Sequence, residues 1–193
     1  VLEKNKLDGI DLDFEWAENE KEYKDYSLAI LKMREVLGDK YLFSVSLHPV
    51  CYKISKEAIE AVDFISLQCY GPSPVRFPIE KYCSDIQMVL EYGIPKEKLV
   101  AGVPFYGVTK DNSKKTEAYF NFVQNGLVTS PAQNEVIYQG DTYVFDGQDN
   151  IRIKTRYAKE QKLKGMMSWD LATDLPLRDR RSLLKTMTEE LRE

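Results

Sequence analysis

Residues 8–16 read Asp-Gly-Ile-Asp-Leu-Asp-Phe-Glu-Trp, and from Ile10 onward apolar and acidic side chains alternate without a break. A period of two belongs to a β-strand, which sends Ile10, Leu12 and Phe14 to one face and Asp11, Asp13 and Glu15 to the other. The three carboxylates then stand roughly 6–7 Å apart along the strand. Like charges so stacked repel one another and resist leaving water, so a strand chosen for stability alone would not carry them. Their crowding raises at least one apparent pKa, which keeps one carboxyl protonated near neutral pH, as a general acid requires. Two other readings fit these residues taken alone: a solvated edge strand with a polar outer face, and a divalent-metal cluster. An EF-hand is excluded, since it needs a loop with glycine at its sixth position.

The rest of the chain alternates strand-like and helix-like segments. Short apolar runs at 8–15, 42–48, 64–70, 98–106 and 165–171 read as strands. Between them, 20–37 repeats Tyr23, Tyr26, Ile30, Met33 and Leu37 at near-helical spacing before Gly38, and 79–92 does the same before Gly93. Residues 150–163 and 178–192 read as two further helices, the first with Asn150 as its N-cap. Strand, helix, strand, helix implies parallel strands joined by right-handed crossovers, the α/β class. Residues 108–148 break that rhythm. They are polar and turn-rich, with a short helix near 116–124 and a β-hairpin turning at Gln139-Gly-Asp, and they read as an insertion between two strands.

Charge and composition narrow the partners. The 27 Lys+Arg against 31 Asp+Glu leave a formal charge of −4, with no basic cluster of the kind phosphate backbones need, so nucleic acid is not an expected partner. No run approaches the ~18 apolar residues of a membrane span. Three cysteines and one histidine, His48, form neither a disulfide framework nor a zinc site. Cys69 lies in an apolar run and reads as a small buried hydrophobe.

Asp8-Gly-Ile-Asp-Leu-Asp-Phe-Glu15 resembles the DxxDxDxE signature of glycoside hydrolase family 18, the chitinases and endo-β-N-acetylglucosaminidases. The resemblance implies a (β/α)8 barrel with this motif on its fourth strand, and a retaining mechanism in which the substrate's own N-acetyl group is the nucleophile. It implies that Glu15 is the general acid and then the base, that Asp13 orients the acetamido group and steadies the oxazolinium charge, and that Asp11 sits behind Asp13 and tunes its protonation. No metal and no cofactor is implied. Later segments carry the same likeness. Phe64-Ile-Ser-Leu-Gln-Cys-Tyr-Gly71 resembles the sixth strand, with Gln68 and Tyr70 on one face and Tyr70 a donor to the acetamido carbonyl; the Asp or Asn that often follows that Tyr is Gly71 here. Leu99 to Gly107 resembles the seventh strand and places Tyr106 at the cleft, with Val108 where an Arg often stands. Gly165 to Ala172 resembles the eighth, with Trp169 as the floor under the sugar, since an indole face suits the apolar face of a pyranose. Phe43 to Pro49 resembles the fifth, where His48 is given no role.

The resemblance implies hydrolysis of β-1,4 bonds beside N-acetylglucosamine in chitin or chito-oligosaccharides. Release of N-glycans from protein is the alternative, since a short insertion implies an open cleft that suits an endo-acting chitinase and a glycan-releasing enzyme alike; a carbohydrate-binding relative without activity is the other. Placement outside the cell, in a periplasm or at the cell surface follows from where such polymers are found. At 193 residues, one catalytic domain over 1–193, the chain is short for a barrel of typically ~250. Five strands matching the fourth to the eighth imply that the remaining barrel half comes from the same longer polypeptide, with completion by another copy as the alternative, because a five-stranded sheet leaves two open edges.

Overall fold

The helices owe their bounds to side chains at their ends. In the computed structural model, which describes residues 1–71, 77–111 and 115–192, helix α2 spans Glu20–Leu37, after a single turn, α1 (Leu2–Asn5), and a first strand, β1 (Gly9–Asp13). The Asn19 side chain accepts from the Glu22 amide at the start of α2, and Glu22 answers by accepting from the Glu18 amide at 2.7 Å, satisfying donors the helix itself cannot. Gly38, at φ 58°, ends it. The apolar stripe of α2 buries Tyr26 and Ile30 and packs Met33 and Leu37 against the core. Burial of each such large side chain is worth about 1.5–3 kcal/mol.

The chain continues through β2 (Leu42–Leu47), α3 (Lys56–Ala61), β3 (Phe64–Leu67), α4 (Ile79–Tyr92) and β4 (Leu99–Pro104). Helix α3 has Ser55 as its N-cap but no glycine at its far end; Lys98 supplies that end instead, donating to the carbonyls of Ile59, Glu60 and Val62. Then come β5 (Tyr106–Thr109), β6 (Thr116–Ala118), α5 (Tyr119–Gln124), β7 (Glu135–Tyr138) and β8 (Asp141–Val144), followed by α6 (Gln148–Glu160), β9 (Gly165–Trp169) and α7 (Leu183–Arg192).

Strands β1, β2, β3, β4 and β9 form one parallel sheet in that order, the α/β architecture the alternation implies. Its helix-covered face carries Phe43, Val45, Leu47, Ile65, Leu67, Ala101 and Val103, all buried. Strands β1 and β9 are its edges. On β1 the apolar side chains are only partly covered: Ile10 is 39% exposed and Phe14, just past the strand, 43%.

A second sheet, antiparallel in the order β6-β5-β8-β7, lies between β4 and α6 in the chain. The hairpin read at Gln139-Gly-Asp joins β7 to β8, and Gln139 and Gly140 both take positive φ (50° and 87°), as a two-residue type I′ turn demands. Within 108–148, residues 112–114 lie outside the described residues.

Several boundaries differ from the sequence reading. The segment 98–106 is split at Phe105: Tyr106 begins β5 in the second sheet. The helix expected over 116–124 is a strand followed by one and a half turns of α5, because Thr116–Ala118 pairs antiparallel with β5. The expectation that Asn150 caps α6 is corrected. Gly147 stands at the N-cap, and Asn150 is inside the first turn with its amide donating to Asp146 Oδ1. Helix α7 starts at Leu183, not 178, since Asp174 accepts from the Leu183 and Leu184 amides and fixes the start there. All three cysteines are free thiols; Cys69 is buried as expected, and burial pushes its thiol up to about 12.

Candidate active site

Strand register assembles the site. In the β1–β2 ladder Asp11 pairs with Ser44 and Asp13 with Ser46, and two residues further along both chains Glu15 meets His48. The β2–β3 ladder sets Ser46 beside Ser66. Because side chains alternate, Asp11-Asp13-Glu15, Ser44-Ser46-His48 and Ser66-Gln68-Tyr70 are three polar columns on the face of the sheet away from the helices. On β4 the same face carries Gly102, and on β9 Met167 and Trp169. A side chain at Gly102 would strike Leu67 O at 2.7 Å and the Tyr70 ring at 2.9 Å, so its bareness lets the Tyr70 ring lie over β4.

The carboxyl ends of these strands line an open cleft of about 290 Å³. Asp13, Glu15, Gln68 and Tyr70 face it, with Tyr106 and Trp169 completing its wall. Six of the seven side chains singled out from the sequence therefore share one cavity. The seventh, Asp11, lies one layer deeper, in an adjoining space of about 430 Å³ that Asp13 also borders. Ser44 Oγ donates to Asp11 Oδ1 at 2.5 Å and Ser46 Oγ to Asp11 Oδ2 at 2.8 Å, so both its oxygens are engaged behind Asp13. Gln68 Nε2 donates to Asp13 Oδ1 at 3.2 Å. Trp169 is 56% exposed, an indole with a face open to the cleft. The Tyr70 hydroxyl lies 3.8 Å from Met167 Sδ, a weak acceptor, which leaves its O–H available to a stronger one. Burial pushes the Tyr70 phenol well above its ordinary range, with Tyr106 and Asp13 adding to the effect, so it stays a donor. Among the described residues no three of His, Cys, Asp or Glu converge as metal ligands.

The carboxyl of Asp13 is held above its usual range, first by desolvation and then by the charge of Glu15; Asp11 adds to the rise, while His48 and the Gln68 hydrogen bond oppose it. A folded-state value above the unfolded one means the ionised form weakens the fold. The cost is absent below the unfolded pKa and is fully felt above the folded one. Replacement Asp13→Asn is therefore expected to raise Tm at pH 7, by no more than about 3 °C given the solvent around this site, with the gain vanishing below about pH 4. Thermal unfolding at pH 3.5 and 7 checks it; a loss of Tm at pH 7 would contradict the sign.

Two cleft side chains were not anticipated, Trp16 and His48. His48 is 5% exposed and its Nε2 lies 2.8 Å from Glu15 Oε1. The signal was present in the sequence: Ser44, Ser46 and His48 repeat at the same period as Asp11, Asp13 and Glu15 on the neighbouring strand.

A family model described as glycosyl hydrolases family 18 matches residues 1–174. The sequence is 23% identical over 237 residues to "Probable chitinase 2" of Drosophila melanogaster, covering 90% of this chain and 49% of that protein. Among solved structures, the GH18 chitinase ChiB of Flavobacterium johnsoniae aligns with a TM-score of 0.80 at 27% identity, over 98% of this chain and 62% of the other. A chitinase of Bacteroides thetaiotaomicron aligns with a TM-score of 0.84 at 21% identity, over 98% and 65%, a likeness of fold. The chain spans about half the length of the curated relative and less than two thirds of either solved structure.

Proposed function

This chain belongs to family 18 of the glycosyl hydrolases, and on that premise we propose that it is the catalytic part of a chitinase-like enzyme that cleaves β-1,4 bonds beside N-acetylglucosamine with retention of configuration. The observation that supports this most directly is the meeting of Asp13, Glu15, Tyr70 and Trp169 at one open cleft.

In the proposed reaction the sugar at the cleavage point lies on the Trp169 indole, an apolar plane matched to the apolar face of a pyranose. Glu15 gives its proton to the glycosidic oxygen as the bond from that oxygen to the anomeric carbon breaks. The acetamido carbonyl oxygen of the same sugar closes on the anomeric carbon and forms an oxazolinium ion. The negative Asp13 carboxylate faces the positive charge so formed, and Tyr70 donates to the acetamido oxygen and holds it in line. In the second half Glu15, now ionised, takes a proton from water, whose oxygen attacks the anomeric carbon and reopens the ring. Asp11, fixed by two serines, stands behind Asp13 and adds to the rise of the Asp13 carboxyl above its usual range. Gln68 orients Asp13, and Tyr106 walls the cleft beside Trp169.

The five parallel strands are assigned to the fourth to eighth of a (β/α)8 barrel, with the second sheet inserted between the seventh and eighth. The two open edges and the partly bare β1 support closure by further strands of the same, longer polypeptide. Among the described residues no helix is long and apolar enough to cross a membrane. The substrate's location argues for action outside the cell, in a periplasm or at the cell surface.

The test is hydrolysis by the protein at its natural length. A chromogenic chitobioside and chito-oligosaccharides should be cleaved, with the β-anomer formed first and no loss on adding a chelator. Cleavage of a high-mannose glycopeptide in place of the chito-oligosaccharides would move the substrate to N-glycans. Binding of these sugars without turnover would overturn the assignment as an enzyme.

A further inference from the structure

The proposed reaction leaves one buried polar group in the cleft unused. His48 follows the end of β2, and its backbone is closed into a tight turn: its amide donates to Cys51 O at 3.2 Å and its carbonyl oxygen accepts in return from the Cys51 amide at 2.9 Å. The Trp16 ring meets the imidazole edge-on, with centroids 4.1 Å apart. Backbone and ring plane are thus both fixed, and the fixed ring directs Nε2 at Glu15 Oε1, 2.8 Å away. The other ring nitrogen, Nδ1, is buried with no hydrogen-bond partner among the described residues. Burying a polar ring half-satisfied is costly, and an apolar ring of the same size would fill this space without that cost. Packing alone does not explain a histidine here; its contact with Glu15 does.

We propose that His48 is a positioning residue that holds Oε1 of Glu15 and leaves Oε2 as the oxygen that gives and retakes the proton. The proposal rests on the reading of Glu15 as the acid and base. With its hydrogen on Nε2 the imidazole donates to Glu15 and leaves Nδ1 as a bare lone pair. The opposite tautomer would bury an N–H with nothing to accept it, the rarer and costlier arrangement. A fixed donor at Oε1 steadies the ionised carboxylate, which is the form that must draw a proton from water in the second half of the reaction. In the first half the proton sits on Oε2, the oxygen His48 does not engage. Among the described residues, the ionisable groups around this pair are Asp13 on β1, Tyr70 after β3 and Tyr106 at the start of β5 in the cleft, Asp11 in the adjoining space, and Cys51 in the His48 turn, its Sγ accepting from the Ala17 amide. Among the described residues no lysine or arginine lines the cleft.

Three variants and one spectrum test this in the protein at its natural length. His48→Phe keeps the ring volume and removes the donor. It should retain or raise Tm yet lower kcat on chito-oligosaccharides about 10- to 100-fold, with KM within about threefold. The alkaline limb of its kcat profile should move up by about one pH unit, because the ionised carboxylate has lost its donor. His48→Ala should behave alike in kcat and pH profile. His48→Gln, whose side-chain amide can again donate, should recover most of kcat and return the limb toward its original place. Independently of turnover, a long-range 1H–15N spectrum should show His48 with its hydrogen on Nε2, in a pattern that changes in Glu15→Gln; His48→Phe identifies the signal. Full-speed turnover by His48→Phe with an unmoved limb, or an Nδ1–H tautomer, would overturn the proposal. Absence of hydrolysis by the unaltered protein would instead refute the assignment of the reaction, and the spectrum would still report the His48–Glu15 contact.

Discussion

Glu15→Gln is expected to lower kcat on chito-oligosaccharides by at least ~10³-fold while leaving the fold in place. The proposed first step needs a proton delivered to the glycosidic oxygen, and an amide cannot deliver one. The direct loss of a general acid accounts for roughly 10²–10⁴, and here the same group also serves as the base for water. A 10³-fold fall corresponds to about 4 kcal/mol of transition-state stabilisation. Stability should barely change. The Glu15 side chain is 42% exposed, and the amide oxygen of Gln can still accept from His48 Nε2, so no buried partner is stranded. Tm within about 2 °C of the unaltered protein and undiminished binding of a chitotriose, measured by calorimetry, would separate lost chemistry from lost folding. Turnover within tenfold of the unaltered protein would remove Glu15 from its role. The contrast with Asp13→Asn is informative: that variant should also cripple turnover, since the oxazolinium loses its nearest carboxylate, but with a gain in Tm at pH 7.

These outcomes depend on side chains that the sequence located unevenly. The period-two run at 10–15 exposed the acidic column directly, because nothing but a strand gives that alternation a face. Helix α2 was legible over 20–37 with Gly38 as its C-cap, whereas its N-cap Asn19 came to light only with the Glu22 amide donating to it. His48 was passed over as a single residue. Its meaning lay in register: Ser44-Ser46-His48 is polar only on alternate positions, and its function appears only when β1 and β2 are laid side by side. The second sheet was half visible. Its hairpin announced itself through Gln139-Gly140, whereas β5 and β6 are short, and their pairing is decided by contacts across the chain rather than by local preference. Helix α3 gave little signal because Lys98, far away in sequence, supplies its C-terminal partners. The N-cap of α6 was misplaced for a related reason. Asn150 has capping chemistry, but Asp146 recruits its amide, and the helix starts before it.

That same Asp146 carries the second large effect: Lys154→Met is expected to destabilise the fold by about 3–5 kcal/mol, a fall in Tm of roughly 6–20 °C. Lys154 and Asp146 are almost wholly buried, with side chains 2% and 0% exposed and Nζ 2.5 Å from Oδ2. Nζ also donates to Phe77 O at 2.9 Å and lies 5.5 Å from the centre of the Tyr82 ring. Removing the ammonium would leave Asp146 a buried carboxylate with only the Asn150 amide for company. Burial already holds the Asp146 carboxyl above its ordinary range, with Lys154 opposing that rise. In Lys154→Met the opposition is gone. The penalty should therefore be smallest at acid pH, where Asp146 is protonated in both states, and should grow as pH rises through its raised folded value. Adding Asp146→Asn should restore much of the loss, because the cost of breaking such a pair is chiefly the charge left behind. Thermal unfolding of both single variants and the double variant at pH 4.5 and 7.5 measures this; additive losses, or a deficit independent of pH, would contradict it. The pair also ties three separate parts of the chain together: the exit from β8, helix α6 and the Phe77 carbonyl. The Phe77 ring meets Tyr106 at 6.2 Å between centroids, and Tyr106 meets Tyr70 at 6.3 Å. Loosening the buried pair frees Phe77, and through two edge-on rings it loosens the wall of the cleft that presents the Tyr70 hydroxyl. Lys154→Met should thus raise KM at 25 °C, well below its Tm, while Lys154→Met/Asp146→Asn recovers stability but not KM, since neither restores the donor to Phe77 O.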